Sequence, residues 1–284
     1  MYNIETKTIL TPQNGLNIYR GRTEDAIYTY NADGIDDIGV KPDADDLLYT
    51  CLKKRKSRGM IIAGNMGDPY NEHEQGLKLM RKCLKYIEMM DFGVVVITRR
   101  ALLLRDIDIL KNISRKTKAV VEIPFPSLDP DKLRLLDGGE LAERLELVEG
   151  LKEAKVPFVL NIFPLIPFVN DGVEEMEELL GRLGGFGPAA IELDEKTVPY
   201  TKKHISFMLK EFSLRFPEEY KSYKTLLGIT EGEPKELKIR NGDKIEELLK
   251  IAASRAGAKS DPVQIADWKR TYENRLAGSQ MTLF

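Results

Sequence analysis

The sequence contains few residues that bind metals or form disulfide bonds. Among its 284 residues there are two cysteines and two histidines. Cys51 and Cys83 lie in stretches with helical periodicity, where a small buried thiol is the ordinary state, so we expect no disulfide bond. His73 and His204 have no second histidine, cysteine or carboxylate at the spacing of a zinc site. The sequence therefore does not predict a zinc site of a common type.

Long apolar runs, a leader peptide and a strong charge bias are also absent. No apolar run approaches the roughly 18 residues that a membrane-spanning helix requires. The segment Met1–Gln13 lacks the basic-then-apolar pattern of a secretory signal. We therefore expect a cytoplasmic protein without a membrane partner. The net charge of −2 gives no global argument for nucleic acid; the basic run Lys53–Arg58 is typical of a solvated helix end, and a local nucleic-acid patch stays open.

Motifs of several large enzyme classes are missing as well. There is no GxSxG, Walker A, HExxH or GxGxxG motif. The glycine-rich stretch GRLGGFGP lies at the end of a helical pattern, where it is typical of a C-cap and loop. The local sequence thus gives no support for a serine hydrolase, an NTPase, a zinc protease or a dinucleotide-binding enzyme.

What is present is a regular alternation of short strand-like runs and longer amphipathic stretches. It extends from Asn14 to about Leu193 and predicts βα units around a parallel sheet. The six predicted strands are Leu16–Arg20, Met60–Gly64, Gly93–Thr98, Ala119–Ile123, Phe158–Ile162 and Ala189–Leu193. Between the second and third strands, Leu77, Met80 and Leu84 recur at helical spacing. The pattern therefore predicts a barrel-like α/β fold.

After the sixth strand the chain changes character. Three further helices are predicted, at Tyr200–Phe216, Lys244–Ala256 and Asp261–Leu276. The polar, glycine-containing stretch before the second of them is typical of an exposed linker. We therefore predict a barrel-like part in residues 1–195 and a C-terminal helical extension, packed on it, in residues 196–284.

One segment near the N-terminus resembles a known cofactor loop. Gly15–Tyr30 reads GLNIYRGRTEDAIYTY. It resembles the cluster loop of radical S-adenosylmethionine (SAM) enzymes of the spore photoproduct lyase-like group, whose pattern is GxNxYRGCxHGCxYC. The three cysteine positions of that pattern fall here on Arg22, Ala26 and Thr29. The frame of the motif is present, and its three thiols are replaced.

Four later segments resemble the same family. GNMGDPYNEHE, at Gly64–Glu74, is similar to GxMSDPYxPxE, and ITRRALLLRDIDIL, from Ile97, is similar to ITKSxLxLRDIDLL. FPLIPFVND, at Phe163–Asp171, is similar to SPILPFIND, and the terminal QMTLF is similar to QxSLF. The chain departs from the family in a shorter loop after Tyr30 and in DEKTVPYTKKH, which stands where relatives have GMTLR. Inference of a substrate from the family is weakened by both departures.

The resemblance implies a fold, a cofactor and a reaction. The family fold is an α/β partial (β/α)6 TIM-like barrel whose active site lies on loops at the C-terminal ends of the strands. In relatives, three thiolates hold a four-iron, four-sulfur cluster that binds and cleaves SAM to start radical chemistry. Arginine, alanine and threonine, at Arg22, Ala26 and Thr29, cannot replace those thiolates. We therefore expect no iron–sulfur cluster, and SAM stays open as a ligand.

The turn after the second predicted strand is the first candidate cofactor site. By resemblance, Asp68, Pro69 and Tyr70 line a pocket for the adenosine and methionine parts of SAM. The same residues also fit a tight Asp-Pro turn before a helix, and both interpretations stay open. Farther along, Asp171 precedes a predicted helix, and we predict that its carboxylate caps that helix.

Three arginines form the second candidate site. Arg99 and Arg100 stand where relatives have a Lys-Ser pair, whose lysine helps to hold the SAM carboxylate, and Arg144 is predicted near the same mouth. Guanidinium groups bind carboxylates and phosphates bidentately, so a small-molecule anion is a possible ligand. The alternative is that these arginines are neutralised within the protein, by Glu24, Asp25 and Glu122.

Three functions follow from these observations. The leading hypothesis is a pseudoenzyme that binds SAM, S-adenosylhomocysteine or a related small anion. The second is an active radical SAM enzyme of the DNA-repair lyase type that holds its cluster through unconventional ligands. The third is an interaction protein, plugged at the barrel mouth by its own side chains or partnering a cluster-bearing paralogue.

Overall fold

A computed structural model describes residues 1–21, 25–27, 37–193, 202–227 and 239–275 of the chain. Within these ranges the strands are β1 (Tyr2–Asn3), β2 (Gly15–Leu16), β3 (Tyr19–Arg20), β4 (Gly39–Val40), β5 (Met60–Ala63), β6 (Gly93–Ile97), β7 (Ala119–Pro124), β8 (Phe158–Ile162) and β9 (Ala190–Leu193). The α-helices are α1 (Ala44–Lys53), α2 (Glu74–Leu77), α3 (Leu79–Met89), α4 (Ile107–Lys116), α5 (Pro130–Asp137), α6 (Leu141–Ala154), α7 (Val173–Gly185), α8 (Lys202–Arg215), α9 (Tyr220–Leu227), α10 (Gly242–Ala256) and α11 (Pro262–Arg270). A 3₁₀ helix, Ala101–Asp106, precedes α4.

The main sheet has six parallel strands. Their spatial order is β2-β5-β6-β7-β8-β9, which is also their order along the chain. Successive βα units produce this order when each new strand is added beside the last one. The predicted α/β class and all six predicted strands are confirmed. The first strand is shorter than predicted because Tyr19–Arg20 leaves the sheet and pairs antiparallel with β4 in a small second sheet.

One face of the main sheet, called here the helix face, packs against the connecting helices. Its strand residues alternate with those of the opposite face, because successive side chains of a strand point to opposite sides. Val94, Val121 and Leu160 are fully buried on the helix face, together with Met80 and Leu84 of α3. This is the larger apolar core. Met80 and Leu84, which recur at helical spacing in the sequence, contribute to it as predicted.

The opposite face, called here the inner face, packs against the C-terminal part of the chain. Val95, Val120 and Val159 of this face form a core cluster with Ile265 and Trp268 of α11. The segment before α11 is held beside β9 by the backbone of Lys259. Its carbonyl accepts from the Ile191 N–H at 2.9 Å, and its N–H donates to the Ala189 carbonyl at 3.0 Å. Helix α11 therefore covers part of the inner face.

A further apolar cluster lies beyond the carboxyl ends of the strands. Phe212 and Phe216 of α8 and Tyr223 of α9 pack there with Ile27 and Leu136. The Phe212 and Tyr223 rings are stacked, with centroids 4.2 Å apart. Helices α8 and α9 thus cover the loop that follows β2 and the end of α5.

The three predicted C-terminal helices are found as α8, α10 and α11. Within the described residues α8 and α11 are shorter than predicted, whereas α10 begins two residues before its predicted start. Helix α9, which follows Pro217, was not predicted. Among the described residues, no helix is both long and apolar enough to cross a membrane. The division of the chain at residue 195 remains a prediction.

Candidate functional site

The carboxyl ends of β5 and β6 are joined through Asp68. This carboxylate accepts hydrogen bonds from the Thr98 hydroxyl at 2.6 Å and from the backbone N–H groups of Tyr70 and Arg99 at 2.9 and 2.8 Å. Asp68 and Pro69 are buried. The ends of β5 and β6 lie so close together that a Cβ on Gly64 would be 2.1 Å from the Ile97 carbonyl oxygen. Asp68 therefore holds the loops after β5 and β6 together, which is the structural role that the turn interpretation gives it.

Tyr70 belongs to a largely buried network of acidic, arginine and tyrosine side chains, which we call the loop brace. Its members come from three of the family-like segments and from α3, and they are Tyr19, Tyr70, Glu74, Arg81, Arg105, Asp106 and Asp108. The Tyr70 hydroxyl donates to Asp106 at 3.1 Å, and the Tyr19 hydroxyl donates to Glu74 at 2.6 Å. Arg105 bridges the two buried carboxylates, at 2.7 Å from Glu74 and 2.8 Å from Asp106. The loops after β2, β5 and β6 are thereby tied together.

The two tyrosines of the loop brace are held in their protonated form. Burial and the neighbouring carboxylate Asp106 raise the pKa of Tyr70 well above its usual value. Burial and the charge of Glu74 raise the pKa of Tyr19 in the same way. Protonated hydroxyls can donate to carboxylates, and so the charge state agrees with the hydrogen bonds. Tyr70 is 1% exposed, and its ring is part of the core.

Arg144 is fully buried beside Asp137. Its Nη2 donates to both carboxylate oxygens of Asp137 at 2.9 Å, its Nε donates to the Arg99 carbonyl at 3.0 Å, and its Nη1 donates to the Pro124 carbonyl. Burial lowers the pKa of Arg144, and the charge of Asp137 opposes this effect. The Arg99 guanidinium also contacts Asp137, at 3.3 Å. Arg144 therefore connects the ends of β6 and β7 to the end of α5.

Arg100 is the most exposed of the three candidate arginines. Its side chain is 39% exposed and donates to Glu143 at 3.2 Å. Glu143 also accepts the backbone N–H of Ala101 at 3.0 Å. Asp137 and Glu143 are thus carboxylate partners of these arginines that sequence reasoning did not name. Glu122, which was expected among the partners, accepts from Lys269 at 2.8 Å.

The family-like cluster loop is described only in part. Arg22, Glu24 and Thr29 lie outside the described residues. Ala26 is 1% exposed, and the next residue, Ile27, donates its backbone N–H to the Leu136 carbonyl at 2.9 Å. The second of the three positions predicted to correspond to cysteines is therefore occupied by a buried methyl group.

Asp25, in the same loop, contacts α8. Arg215 donates to the Asp25 carboxylate at 2.7 Å and to its backbone carbonyl at 3.1 Å. The same guanidinium donates to the Leu135 carbonyl at 3.0 Å. The loop after β2 is thus tied to α5 and α8 by one arginine.

Both cysteines are in helices that pack on the helix face of the main sheet. Cys83, in α3, is fully buried in the larger core, and Cys51 lies in α1 and packs against that core. Burial raises the pKa of the Cys83 thiol well above its usual value. A thiol must lose its proton to bind a metal or a cluster, so burial disfavours that role for Cys83.

Four polar side chains meet on the inner face, and we call them the inner-face cluster. Glu122 of β7, Asn161 of β8 and Glu192 of β9 occupy the carboxyl halves of adjacent strands, and Lys269 reaches them from α11. Its ammonium group donates to Glu122 at 2.8 Å and to Glu192 at 2.6 Å. Asn161 Nδ2 donates to Glu122 at 2.9 Å. Burial opposes the charge on Lys269, but the two carboxylates outweigh it and raise the pKa of Lys269.

The carbonyl oxygen of the Asn161 side chain is buried and has no hydrogen-bond partner among the described residues. Asn161 as a whole is 7% exposed. The orientation of the amide is set by Glu122, a carboxylate that can accept only from the nitrogen side. Buried polar atoms are nearly always hydrogen-bonded, so an orphaned acceptor requires an explanation such as a ligand.

The sequence carried a signal for three members of the inner-face cluster. Glu122, Asn161 and Glu192 are polar residues within otherwise apolar strand segments, AVVEIP, FVLNI and AIEL. Lys269 had no such signal, because its position depends on how α11 docks.

Asp171 does not cap α7, and that prediction was wrong. Gly172 occupies the N-cap position, and no side chain caps the helix. The Asp171 carboxylate instead accepts from Arg240 at 2.7 Å and from the backbone N–H of Phe168 at 2.8 Å. It links the loop after β8 to the segment before α10.

Comparisons with known proteins relate most of the chain to one fold. No protein-family model matches the chain. Uncharacterised proteins of Mycobacterium bovis and of two strains of Mycobacterium tuberculosis are each 22% identical to it over 136 residues, 47% of this chain and 40% of their own length. The chain therefore matches less than half the length of these curated relatives.

Two solved structures of spore photoproduct lyase are similar to a larger part of the chain. One, complexed with a dinucleoside spore photoproduct, has a TM-score of 0.66 and 14% identity, over 89% of this chain and 78% of that chain. Another, a double mutant with bound AdoMet and dinucleoside spore photoproduct, has a TM-score of 0.66 and 13% identity, over 91% and 80%. At this identity the likeness establishes the fold alone: a mixed α/β fold similar to that of spore photoproduct lyase.

Proposed function

We propose that this protein is a pseudoenzyme with a radical SAM-type partial (β/α)6 barrel, and that it binds an adenosyl ligand without cluster chemistry. The observation that carries the proposal is the buried Asn161 carbonyl on the inner face, which has no hydrogen-bond partner in the part of the chain that the structure describes. It occurs in a chain with no cysteine before Cys51. The protein thus has a polar site suited to a ligand and lacks the thiols that relatives use for radical chemistry.

The side chains at the family's cluster positions do not fit an iron–sulfur cluster. Ala26 offers a buried methyl group, and by sequence the other two positions hold Arg22 and Thr29. Cluster iron is bound by thiolates, and a guanidinium, a methyl group and a hydroxyl are no substitutes. We therefore derive no reaction step through a cluster.

The inner-face cluster supports a ligand that carries hydroxyl and amino groups. Asn161 Oδ1 can accept hydrogen bonds, and Glu192, whose side chain is 17% exposed, has a carboxylate near solvent. Arg99 and Arg100, at the end of β6, contact Asp137 and Glu143, and a ligand carboxylate would join or replace these partners. A double mutant of spore photoproduct lyase with bound AdoMet has the same fold. SAM and S-adenosylhomocysteine are the first ligands to test.

Iron and sulfide reconstitution tests the loss of cluster chemistry. We expect that anaerobic treatment of the purified protein yields far less than four irons per chain and no absorption or paramagnetic resonance signal of a cluster. Restoring the motif with Arg22→Cys, Ala26→Cys and Thr29→Cys provides the comparison. A stoichiometric cluster in the unmodified protein, able to cleave SAM after reduction, would support the alternative of an active DNA-repair lyase-type enzyme.

Calorimetric titration tests ligand binding. We expect saturable heat with SAM or S-adenosylhomocysteine and a loss of affinity of roughly tenfold in Arg99→Ala and in Asn161→Ala, the typical value of one charged or buried hydrogen bond. Arg134→Ala, which removes an exposed arginine of α5, is the matched control and should bind normally. No heat with either ligand would contradict the proposal.

The packing of α8 and α9 favours a second candidate function. Ile27, directly after Ala26, is fully buried against the aromatic cluster of these helices. This is the arrangement expected of an interaction protein whose mouth is filled by its own side chains. Absence of adenosyl binding, together with a stoichiometric complex with a cluster-bearing paralogue in size-exclusion chromatography, would support that function.

A further inference from the structure

A groove lies on the protein surface between α7 and α10, and we call it the α7/α10 groove. Its volume is about 320 Å³. Most of the side chains that line it are small or aliphatic, among them Leu180, Leu248 and Ile251, and one charged residue of each helix, Glu177 and Arg255, lines it as well. Ile251 is 41% exposed. The groove therefore presents an apolar surface to solvent between two charges.

The two helices beside the groove run in the same direction. Helix α7 leads into β9, and α10 leads to Lys259, which pairs in parallel with Ala190 at the start of β9. Both helices therefore end near the amino end of that strand. A Cβ on Gly184 would lie 3.3 Å from the Ala252 carbonyl oxygen and 3.7 Å from the Ala256 Cβ. These contacts show which residues of α7 and α10 lie side by side.

The two charges are placed symmetrically about the middle of the groove. In the alignment that these contacts give, Gly181 lies beside Ile251. Glu177 is about one helical turn before Gly181, and Arg255 is about one turn after Ile251. Neither charge forms an ion pair within the described part of the chain. A carboxylate at one end, a guanidinium at the other and an apolar middle make the groove complementary to a copy of itself turned end to end.

Gly181 leaves a hollow in the middle of the groove. A Cβ at this position would meet no atom within 4 Å among the described residues, so no contact there requires glycine. Glycine in a helix interior costs about 0.5–1 kcal/mol relative to alanine. The hollow lies next to the exposed Ile251 side chain, and it is open to an aliphatic side chain from outside the chain.

We infer that the α7/α10 groove is a self-association surface that binds a second copy of the chain about a two-fold axis through its middle. In such a contact each residue pair occurs twice. Ile251 of one copy enters the hollow over Gly181 of the other, and Glu177 of one copy lies opposite Arg255 of the other. The groove is short for the roughly 800 Å² per partner of a stable interface, so we expect a dissociation constant on the order of micromolar. The inference is independent of adenosyl binding.

Sedimentation equilibrium of the full chain, over micromolar concentrations, tests the inference. The unmodified protein is expected to form a reversible dimer. Glu177→Arg and Arg255→Glu each place like charges opposite one another at two points, so each should weaken the dimer by roughly tenfold or more. The double variant should restore it. Since the two residues lie roughly two turns apart within one chain, restoration can come only from contact between copies. Glu178→Arg, an exposed residue of α7 that does not line the groove, is the matched control.

Gly181→Leu gives a second, independent reading. It fills the hollow and should leave the protein monomeric, while the urea midpoint does not fall, because leucine is a better helix former than glycine and the position is exposed. A monomer at every concentration of the unmodified protein would overturn the inference and leave the groove to a different partner. A dimer that Gly181→Leu or the single charge reversals leave unchanged, or that the double variant does not restore, would also overturn it.

Discussion

Replacing Asp106 with alanine is expected to reduce the free energy of unfolding by about 3 kcal/mol or more, because it removes a buried acceptor of several charge-assisted hydrogen bonds, which contribute about 1.5–3 kcal/mol each. Its carboxylate is fully buried and accepts from Arg81 and Arg105 at 2.8 to 2.9 Å and from the Tyr70 hydroxyl at 3.1 Å. Alanine would leave two guanidinium groups and a hydroxyl without this acceptor. Urea unfolding followed by circular dichroism measures the change.

Asp108→Ala is the matched control for this prediction. Asp108 pairs with the same Arg81, at 2.9 Å, but its side chain is 61% exposed. Exposed ion pairs contribute little, and we expect a loss of at most about 1 kcal/mol. Equal effects of the two substitutions would show that burial does not determine the strength of the loop brace, contrary to our interpretation.

The loop brace explains why the family resemblance was visible in the sequence although it did not reveal a ligand site. Tyr19, Glu74 and Asp106 belong to three separate family-like segments, and the folded chain joins them in one buried hydrogen-bond network. A motif read from sequence does not distinguish residues that touch a ligand from residues that hold the loops in place. For Asp68 both interpretations were open, and its hydrogen bonds now give it a structural role at the mouth. Its predicted role in cofactor binding remains a prediction.

The strands could be predicted because they are short, apolar and bounded by polar turns. Segments such as GVVVI and AVVEIP can be stable only when both faces of the strand are covered, which is typical of a parallel sheet. The first strand was less well predicted, since Tyr19–Arg20 pairs with residues about 20 positions later in a second sheet. Local sequence carries no information on that pairing.

The long-range ion pairs could not be predicted, for the same reason. Lys269 meets Glu122 across 147 residues, and Arg99 meets Asp137 across 38. Sequence reasoning gave internal neutralisation of the arginines as one of two interpretations, and it named Glu24, Asp25 and Glu122 as the partners. Which carboxylate is used depends on the docking of α5, α6 and α11, which only the folded chain defines.

Asp137→Ala is expected to destabilise the protein by about 3–5 kcal/mol, because Arg144 is then left buried without its carboxylate. Arg144 is fully buried and donates to both Asp137 oxygens at 2.9 Å. The same carboxylate accepts from Arg99 at 3.3 Å and from the Gly139 backbone N–H at 3.0 Å. Asp131→Ala, which removes a carboxylate of the same helix that is 87% exposed, is the control and should leave the urea midpoint nearly unchanged.

A double-mutant cycle shows whether the loss comes from the uncompensated charge. Adding Arg144→Met to Asp137→Ala removes the buried cation and replaces it with an apolar side chain of comparable length. Part of the lost stability should return, because a buried charge without a partner is more costly than an apolar residue in the same place. If the double variant is as unstable as the sum of the single variants, the two residues are not coupled. Asp137 would then act only through its contacts with Arg99 and Gly139.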